Sequence, residues 1–182
     1  MDGRWRLLRP GHRVLDLGAA PGSWTLYAAE RVGAAGRVLA VDRTLLGAAL
    51  PAHAEAVVAD ALVAPPDTGP DPLAAFAPYD AVLSDLAPST TGARPTDQAR
   101  SYELFMAALA AARRLGRPGS SFTAKIFMSG DFPRARDAVR AAYERVHVVR
   151  PRATRSDSSE IYVVGLGLRR APEASRRSAS SR

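Results

Sequence analysis

The segment that most constrains the fold of this chain spans residues 13–42, RVLDLGAAPGSWTLYAAERVGAAGRVLAVD. Residues 14–17 predict a buried strand, and residues 18–22 predict a tight turn made of small residues. A helix follows, and residues 38–41 predict a second strand that is closed by Asp42. An acid at the tip of such a strand, beside a loop that a ligand can approach closely, is typical of a nucleoside site. The reason is that the acid accepts hydrogen bonds from ribose hydroxyls.

The loop sequence narrows the class of nucleoside. Residues 16–22 are DLGAAPG, so the middle glycine of the GxGxxG dinucleotide fingerprint is missing, and no Lys-Ser or Lys-Thr pair follows as in a phosphate-binding loop. S-adenosylmethionine fits better, because it has no phosphate and carries a cationic sulfonium and a cationic amino group. We therefore expect S-adenosylmethionine as the cofactor. The alternative is a strand–helix unit whose glycines only make a tight turn.

Length and composition limit the class of protein. The 182 residues suffice for one domain with a full core, which we expect over residues 1–168, with a short lead-in at 1–12. The basic residues 169–182 are expected to form a disordered tail. The chain has no cysteine, no apolar run of membrane-spanning length and no signal peptide at its start, so we expect a cytoplasmic protein with no membrane partner. Its three histidines are scattered, and no metal site is expected.

The charge distribution favours a nucleic-acid partner. The net charge is +7 and the sequence pI is about 10.7, which suits a polyanion. Arginines are concentrated in one stretch, at Arg134, Arg136, Arg140, Arg145, Arg150, Arg152 and Arg155. Lys125, by contrast, is the only lysine in the chain. Because lysine can lose its proton in a protein and arginine cannot, Lys125 is the first candidate for proton chemistry.

The rest of the chain alternates between strands and helices. Further strands are predicted at residues 56–59, 79–84, 121–127, 146–149 and 160–168. Ser23 is the predicted N-cap of the first helix, and Thr96 that of the longest helix, which is stopped by Gly116. A third helix is predicted at residues 132–145. Loops are predicted at residues 62–78, 86–95 and 151–159.

This alternation predicts a parallel, doubly wound α/β sheet. The strand at 160–168 follows the preceding strand without an intervening helix, so these two strands are expected to form an antiparallel pair at the sheet edge. Ligands of such sheets bind beyond the carboxyl ends of the strands. Asp42, Asp60 and Asp85 each fall at that end of a strand, so we expect them to converge on one crevice.

Four motifs now give the chain a family resemblance. They are DLGAAPGSW at 16–24, SDLAP at 84–88, KIF at 125–127 and SEIY at 159–162. In this order and spacing the chain resembles the FtsJ/RrmJ family of S-adenosylmethionine-dependent ribosomal RNA 2′-O-ribose methyltransferases. The resemblance implies a class I methyltransferase fold, Rossmann-like, with a seven-stranded, mostly parallel sheet, an antiparallel edge strand and helices on both faces.

The resemblance also implies roles for individual residues. Gly22 and Trp24 match family positions at the methionine part of S-adenosylmethionine. Asp42 matches the acid that holds the cofactor's ribose, and Asp60 matches the acid near its adenine amino group. Asp85 matches the residue beside the reacting methyl group, and so belongs to both the cofactor site and the catalytic set. Trp24 and the loop 86–95 are expected to border the substrate entrance.

Lys125 and Glu160 match the family's catalytic lysine and glutamate, with Lys125 as the proton acceptor. A free lysine has a pKa near 10.4 and is a poor base at neutral pH. Lys125 therefore either acts as a base or only orients the hydroxyl. The substrate that the resemblance implies is RNA, specifically that of the large ribosomal subunit, and we expect a monomer.

The chain departs from the family pattern at its start. The family carries a further catalytic lysine on a helix upstream of the first strand, and no counterpart to that lysine is present here. We expect either a start that is truncated relative to the working gene product or an incomplete catalytic set. Two other functions stay open: a non-catalytic module that binds S-adenosylmethionine and RNA, and a small-molecule O-methyltransferase.

Overall fold

The computed structural model describes residues 2–61, 63, 71–89, 91–150 and 160–170. The strands are β1 (Arg13–Leu17), β2 (Arg37–Asp42), β3 (Ala54–Val58), β4 (Tyr79–Ser84), β5 (Gly116–Phe127), β6 (Tyr143–Val149) and β7 (Glu160–Leu168). The helices are α1 (Asp2–Trp5), α2 (Ser23–Val32), α3 (Arg94–Leu115) and α4 (Phe132–Ala142), with a 3-10 turn at Pro72–Ala74. The predicted loop at 151–159, residues 62 and 64–70 of the predicted loop at 62–78, and the predicted tail beyond residue 170 lie outside the described residues.

The seven strands form one sheet in the order β3-β2-β1-β4-β5-β7-β6. The first five pair in parallel, whereas β7 is antiparallel to both of its neighbours. The predicted mostly parallel sheet and the antiparallel pair at its edge are therefore confirmed. Strand β7 is inserted between β5 and β6, so that β6 is the edge strand on that side of the sheet and β3 is the edge strand on the other.

Helices cover both faces of the sheet, because successive residues of the buried strands point to opposite sides. Leu15 and Leu17 of β1 pack in the core beneath α3 and α4, while Val14 packs on the other side with α2. All three are fully buried. The second face also receives Leu7 and Leu8 of the lead-in. No helix in the described part of the chain is long and apolar enough to cross a bilayer.

Two predicted helix caps are wrong. Gly22, and not Ser23, is the N-cap of α2, with φ 118°. Glycine adopts this backbone conformation without the steric penalty of a side chain. Helix α3 begins at Arg94, two residues before Thr96, and Ala93 is its N-cap. Proline is tolerated in the first turn of a helix, because the N–H group that it lacks would have no hydrogen-bond partner within the helix there. Helix α3 can therefore begin before Pro95.

Several element boundaries also differ from the predictions. Strand β5 begins at Gly116, which was expected only to stop a helix, because Gly116 pairs with Tyr79 of β4. Helix α4 ends at Ala142, and β6 begins at Tyr143 instead of residue 146. Tyr143 is buried, with its ring 6.0 Å from that of Phe122, and this packing places it in the sheet. Strand β3 begins and ends earlier than predicted.

Candidate active site

The loop after β1 lies directly against the segment that follows β4. Gly18 has φ +74°, and a Cβ placed on it would lie 2.7 Å from the backbone nitrogen of Leu86, so a side chain does not fit here. The N–H groups of Gly18 and Ala19 donate to the carbonyl oxygen of Val41 at 2.9 and 3.2 Å. These contacts bring the carboxyl ends of β1, β2 and β4 to one crevice, where ligands of α/β sheets bind.

A cavity of about 450 Å³ opens at this edge of the sheet. Asp42, Asp60 and Asp85 all line it, which confirms that the three acids converge. Its other charged lining residues are Arg43, Arg100 and Glu103. Among the lining residues that the structure describes, carboxylates outnumber guanidinium groups, so the cavity suits a ligand that carries positive charge.

Asp42 is fixed by hydrogen bonds at the end of β2. Its carboxylate accepts from the Ala20 N–H at 3.0 Å, and from the Thr44 N–H and hydroxyl at 2.9 Å each. Burial would raise the pKa of Asp42, but these hydrogen bonds prevail and lower it, so the group is ionised at neutral pH. Asp60 pairs with the exposed Arg43 at 3.8 Å. Both acids therefore present acceptor oxygens to the cavity.

Beside this cavity, four side chains form what we call the lysine cluster: Lys125, Asp85, Glu160 and Tyr162. Lys125 Nζ lies 3.0 Å from Asp85 Oδ1 and 3.9 Å from Glu160 Oε1. The Tyr162 hydroxyl donates to Asp85 Oδ1 at 2.9 Å. The Lys125 side chain is only 9% exposed. The three predicted catalytic residues are thus brought together, and Asp85 links them to the cavity.

The inserted strand β7 explains how residues distant in sequence meet in the lysine cluster. Lys125 of β5 lies opposite Tyr162, and Phe127 lies opposite Glu160. Sequence reasoning missed Tyr162, since only the tertiary pairing brings it to Asp85. Burial raises the pKa of the Tyr162 phenol, and the nearby Asp85 and Glu160 carboxylates raise it further. The phenol therefore stays protonated and acts as a donor.

Gly22 and Trp24 lie at the start of α2, outside the residues that line the acidic cavity. The Trp24 ring stacks on Tyr162, with the centroids 5.5 Å apart and the planes at 27°. Trp24 therefore borders the lysine cluster. A Cβ on Gly22 would lie 3.0 Å from the Cβ of Ala48, so this position is crowded as well as left-handed.

Asp16 is a fully buried carboxyl group that sequence reasoning left without a role. Its Oδ2 accepts from the Thr25 hydroxyl at 2.6 Å, while its Oδ1 has no partner among the described residues. Burial raises the pKa of Asp16 to about 7, and the charges of Asp85 and Asp42 act in the same direction. The sequence does contain a signal for this buried group, because Asp16 is an acid between two leucines of strand β1.

The residues present fit S-adenosylmethionine. The donor and acceptor chemistry suits a nucleoside with a cationic tail, because carboxylates outnumber cations in the cavity and the glycine loop approaches closely. Asp42 and Asp60 can accept from ribose hydroxyls or an amino group. Asp85 stands between the cavity and Lys125, where it can face both a cationic sulfonium and an acceptor substrate.

The chain is similar to solved methyltransferase structures over most of its length. A Plasmodium falciparum chain solved as a candidate ribosomal RNA methyltransferase superposes with a TM-score of 0.75 at 18% identity, covering 92% of each chain. Aeropyrum pernix fibrillarin, in complex with S-adenosyl-L-methionine, gives a TM-score of 0.61 at 16% identity and covers 88% of this chain and 68% of its own. These similarities show the class I methyltransferase fold.

Sequence comparison is more specific. The ribosomal RNA large subunit methyltransferase E of Sorangium cellulosum is 57% identical over 166 residues, which cover 91% of this chain and 76% of the relative. The protein of the same name from Myxococcus xanthus is 48% identical over 171 residues, with 94% and 79% covered. The model of the FtsJ-like methyltransferases matches residues 1–168. The chain therefore belongs to the FtsJ-like methyltransferase family.

Proposed function

We propose that this chain transfers a methyl group from S-adenosylmethionine to a ribose 2′-hydroxyl of RNA in the large ribosomal subunit. The observation that carries the proposal is the lysine cluster, with Lys125 Nζ 3.0 Å from an acid that lines the cofactor-sized cavity. The relatives from Sorangium and Myxococcus, which are named for large-subunit ribosomal RNA, support the choice of substrate.

The proposal assigns the acidic cavity to the cofactor. Asp42 would accept hydrogen bonds from the ribose hydroxyls, and Asp60 would accept from the adenine amino group. Gly22 and Trp24 would lie at the methionine end, beside Asp85. When bound, S-adenosylmethionine supplies a methyl group whose bond to sulfur breaks as the bond to the ribose oxygen forms, with the electron pair leaving on sulfur.

The lysine cluster would handle the proton of the attacking hydroxyl. Lys125 Nζ, in its neutral form, would accept a hydrogen bond from the 2′-hydroxyl, hold its oxygen in line for attack and take the proton as the new C–O bond forms. Asp85 and Glu160 would fix the position of Nζ, because they lie 3.0 and 3.9 Å from it. Tyr162 would fix Asp85 through its hydrogen bond of 2.9 Å. The lysine cluster would therefore contribute to catalysis in two ways: it would position the 2′-hydroxyl and remove its proton.

We infer further that the protein acts as a monomer in the cytoplasm, with no membrane partner, and that residues 1–168 form one methyltransferase domain. The family match over residues 1–168 and the single seven-stranded sheet support one domain. The net charge of +7 supports an RNA partner. Light scattering of the purified chain gives its mass directly; a stable dimer would contradict the inferred monomer.

The test is methyl transfer from labelled S-adenosylmethionine to unmodified large ribosomal subunits. A 2′-O-methyl group blocks alkaline cleavage of the adjacent phosphodiester, so the label should appear in alkali-resistant dinucleotides. Wild type should produce this label and Lys125→Ala should not. Arg136→Gln, on the outer surface of α4, serves as the control and should match wild type.

Two other results would overturn the proposal. Label that is released as mononucleotides would mean a base and not a ribose is methylated. Bound cofactor without any transfer would favour the non-catalytic module or a different acceptor. The same assay with a chain that extends upstream of Met1 decides between the two expectations about the start of the protein.

A further inference from the structure

One surface of the sheet has no role in the function proposed above. Strand β6 is the edge strand, and its residues Arg145, His147 and Val149 lie opposite Leu166, Val164 and Tyr162 of β7. We call the surface formed by Arg4, Trp5, Arg145, His147, Val149 and Arg150 the β6 face. It lies on the same side of the sheet as Val164 and Leu166, which belong to the core cluster beneath α2.

The β6 face is continuous with the lysine cluster. The strand pairings place Lys125, Tyr162 and Val149 in one row across β5, β7 and β6. The next row contains Thr123, Val164 and His147. Strands lie about 4.8 Å apart and residues rise about 3.3 Å each, so His147 is roughly 12 Å from Lys125. That span corresponds to about three or four stacked nucleotides at about 3.4 Å each.

Within the described part of the chain, the exposed arginines of the β6 face form no ion pairs with acids. A shallow cavity is lined by Arg4, Trp5, His147 and Arg150 together with valines of β6, and no carboxylate is among its described lining residues. Arg4, Arg145 and Arg150 are all exposed. None of the three forms an ion pair with another described residue. Two acids, Glu144 and Asp80, line an adjoining cavity together with Trp5 and Arg145, and Asp80 is paired with Arg117.

The arginines of α4 differ from those of β6 in that they form ion pairs, although both groups belong to the same basic stretch of the sequence. Arg134 pairs with Asp131, and Arg136 and Arg140 both pair with Asp137. Helix α4 packs on the opposite face of the sheet, through residues such as Val139. In the described part of the basic stretch, the α4 arginines are therefore paired with aspartates, whereas Arg145 and Arg150 form no ion pair with another described residue.

Aromatic rings lie among the cations of the β6 face. The Trp5 and His147 rings are stacked, with centroids 5.0 Å apart and planes at 21°. The Arg4 guanidinium lies 5.1 Å from the centre of the Trp5 ring. A basic surface with interleaved aromatic rings is the arrangement that binds single-stranded nucleic acid, because cations contact phosphates and rings contact bases.

We propose that the β6 face binds the RNA strand that flanks the methylated nucleotide, through phosphate contacts from Arg4, Arg145 and Arg150 and ring contacts from Trp5 and His147. This rests on the proposed function, since it supplies the path by which RNA reaches Lys125. The occupant is an RNA strand because the surface leads directly to the side chain proposed to handle a ribose hydroxyl.

The test compares two triple variants with the same change in charge. The β6-face variant carries Arg4→Gln, Arg145→Gln and Arg150→Gln, and the matched control carries the same substitution at Arg134, Arg136 and Arg140. Binding of a fluorescent single-stranded uridine 20-mer is measured between about 0.05 and 0.3 M salt, a range in which phosphate contacts alter affinity strongly. Each lost phosphate contact should reduce the salt slope by about 0.7.

We expect the β6-face variant to lose about two units of slope and on the order of 100-fold in affinity near 0.1 M salt. The α4 control should lose less than about 0.7 units. Affinity for S-adenosylmethionine, measured by calorimetry, should be equal in all three proteins. With large subunits as substrate, the β6-face variant should raise KM while kcat stays near wild type. Equal slopes for the two triple variants would overturn the proposal.

This design separates failure of the surface from failure of the reaction. If wild type methylates ribose and the β6-face variant binds the 20-mer as wild type does, the RNA path is wrong and the reaction stands. If no protein methylates ribose but the slope still depends on the β6 face, the RNA surface stands and the proposed reaction is wrong.

Discussion

Asp16 is a carboxyl group enclosed by the sheet, and replacing it with asparagine measures what its burial does to stability. Burial raises its pKa from 3.8 to about 7, against the opposing hydrogen bond from Thr25. Between those pH values the unfolded chain is ionised at this residue while the folded chain keeps its proton. The folded state therefore binds more protons, and stability falls as pH rises through this window, by about 4 kcal/mol for a shift of about three pKa units.

The assay is urea unfolding of wild type and Asp16→Asn at intervals from pH 4 to pH 8. Asparagine does not titrate, and its amide oxygen can still accept from the Thr25 hydroxyl, so any packing difference is the same at every pH. We expect the stability of wild type relative to Asp16→Asn to fall by roughly 3–4 kcal/mol between pH 4 and pH 8, with most of the fall below pH 7 and a levelling as the pH approaches 8. The direction of the change is as informative as its size.

Asp97→Asn is the matched control with the opposite sign. Hydrogen bonds from the Thr91 N–H and hydroxyl lower the pKa of Asp97. Its stabilising effect is therefore present above the unfolded pKa and is lost as pH falls through the folded pKa. The stability of wild type relative to Asp97→Asn should not decline between pH 4 and pH 8. If the difference between wild type and Asp16→Asn is the same at every pH, the reasoning about Asp16 is refuted.

Two further variants test contacts within the site. Tyr162→Phe removes the hydroxyl that donates to Asp85, and should lower kcat by roughly 10-fold or more, the effect of one hydrogen bond to a charged group, with little change in cofactor affinity by calorimetry. Gly18→Ala adds a Cβ 2.7 Å from Leu86 N at φ +74°, whereas Gly33→Ala at φ +65° meets nothing within 4 Å. Thermal unfolding should show a loss of about 1–3 kcal/mol for the Gly33 variant, because φ 65° with ψ −178° is a backbone region that essentially only glycine occupies. The Gly18 variant should lose more and also bind the cofactor more weakly, and equal losses would contradict the close approach.

The positions of strands could be predicted where a short run of apolar residues marks them in the sequence. Strands β1 and β4 match their predicted ranges to within one residue, because each is a short apolar run that ends at an acid or a glycine turn. The convergence of Asp42, Asp60 and Asp85 followed from one general property, that parallel strands present their carboxyl ends at one edge. Because the three acids follow parallel strands of one sheet, residues that are far apart in the sequence line the same cavity.

Features that depend on tertiary contacts were not predictable in the same way. Gly22 serves as an N-cap through its backbone conformation alone, which favours glycine but has no side-chain signature. Tyr143 joins β6 because its ring packs on Phe122, and the sequence shows only an aromatic residue near the end of a helical pattern. Tyr162 reaches Asp85 only because β7 inserts beside β5.

The charge pattern illustrates the same division. The sequence shows one basic stretch and predicts a polyanionic partner, but it does not show which arginines are neutralised. Arg140 faces Asp137 one helical turn away and is paired, whereas Arg145 on β6 forms no ion pair with another described residue, although Glu144 precedes it in the chain. Side-chain direction, and not local composition, decides which cations are available.

Lys125 is proposed to accept the proton of the ribose hydroxyl, and single-turnover methyl transfer by Lys125→Ala and Lys125→Arg distinguishes this role from simple orientation of the hydroxyl. Arginine keeps nitrogen donors beside Asp85 but cannot lose its proton and so cannot accept one. We predict that both variants lose at least ~100-fold in rate, with affinity for S-adenosylmethionine unchanged by calorimetry. A Lys125→Arg rate close to that of wild type would contradict the claim and leave Lys125 only an orienting role.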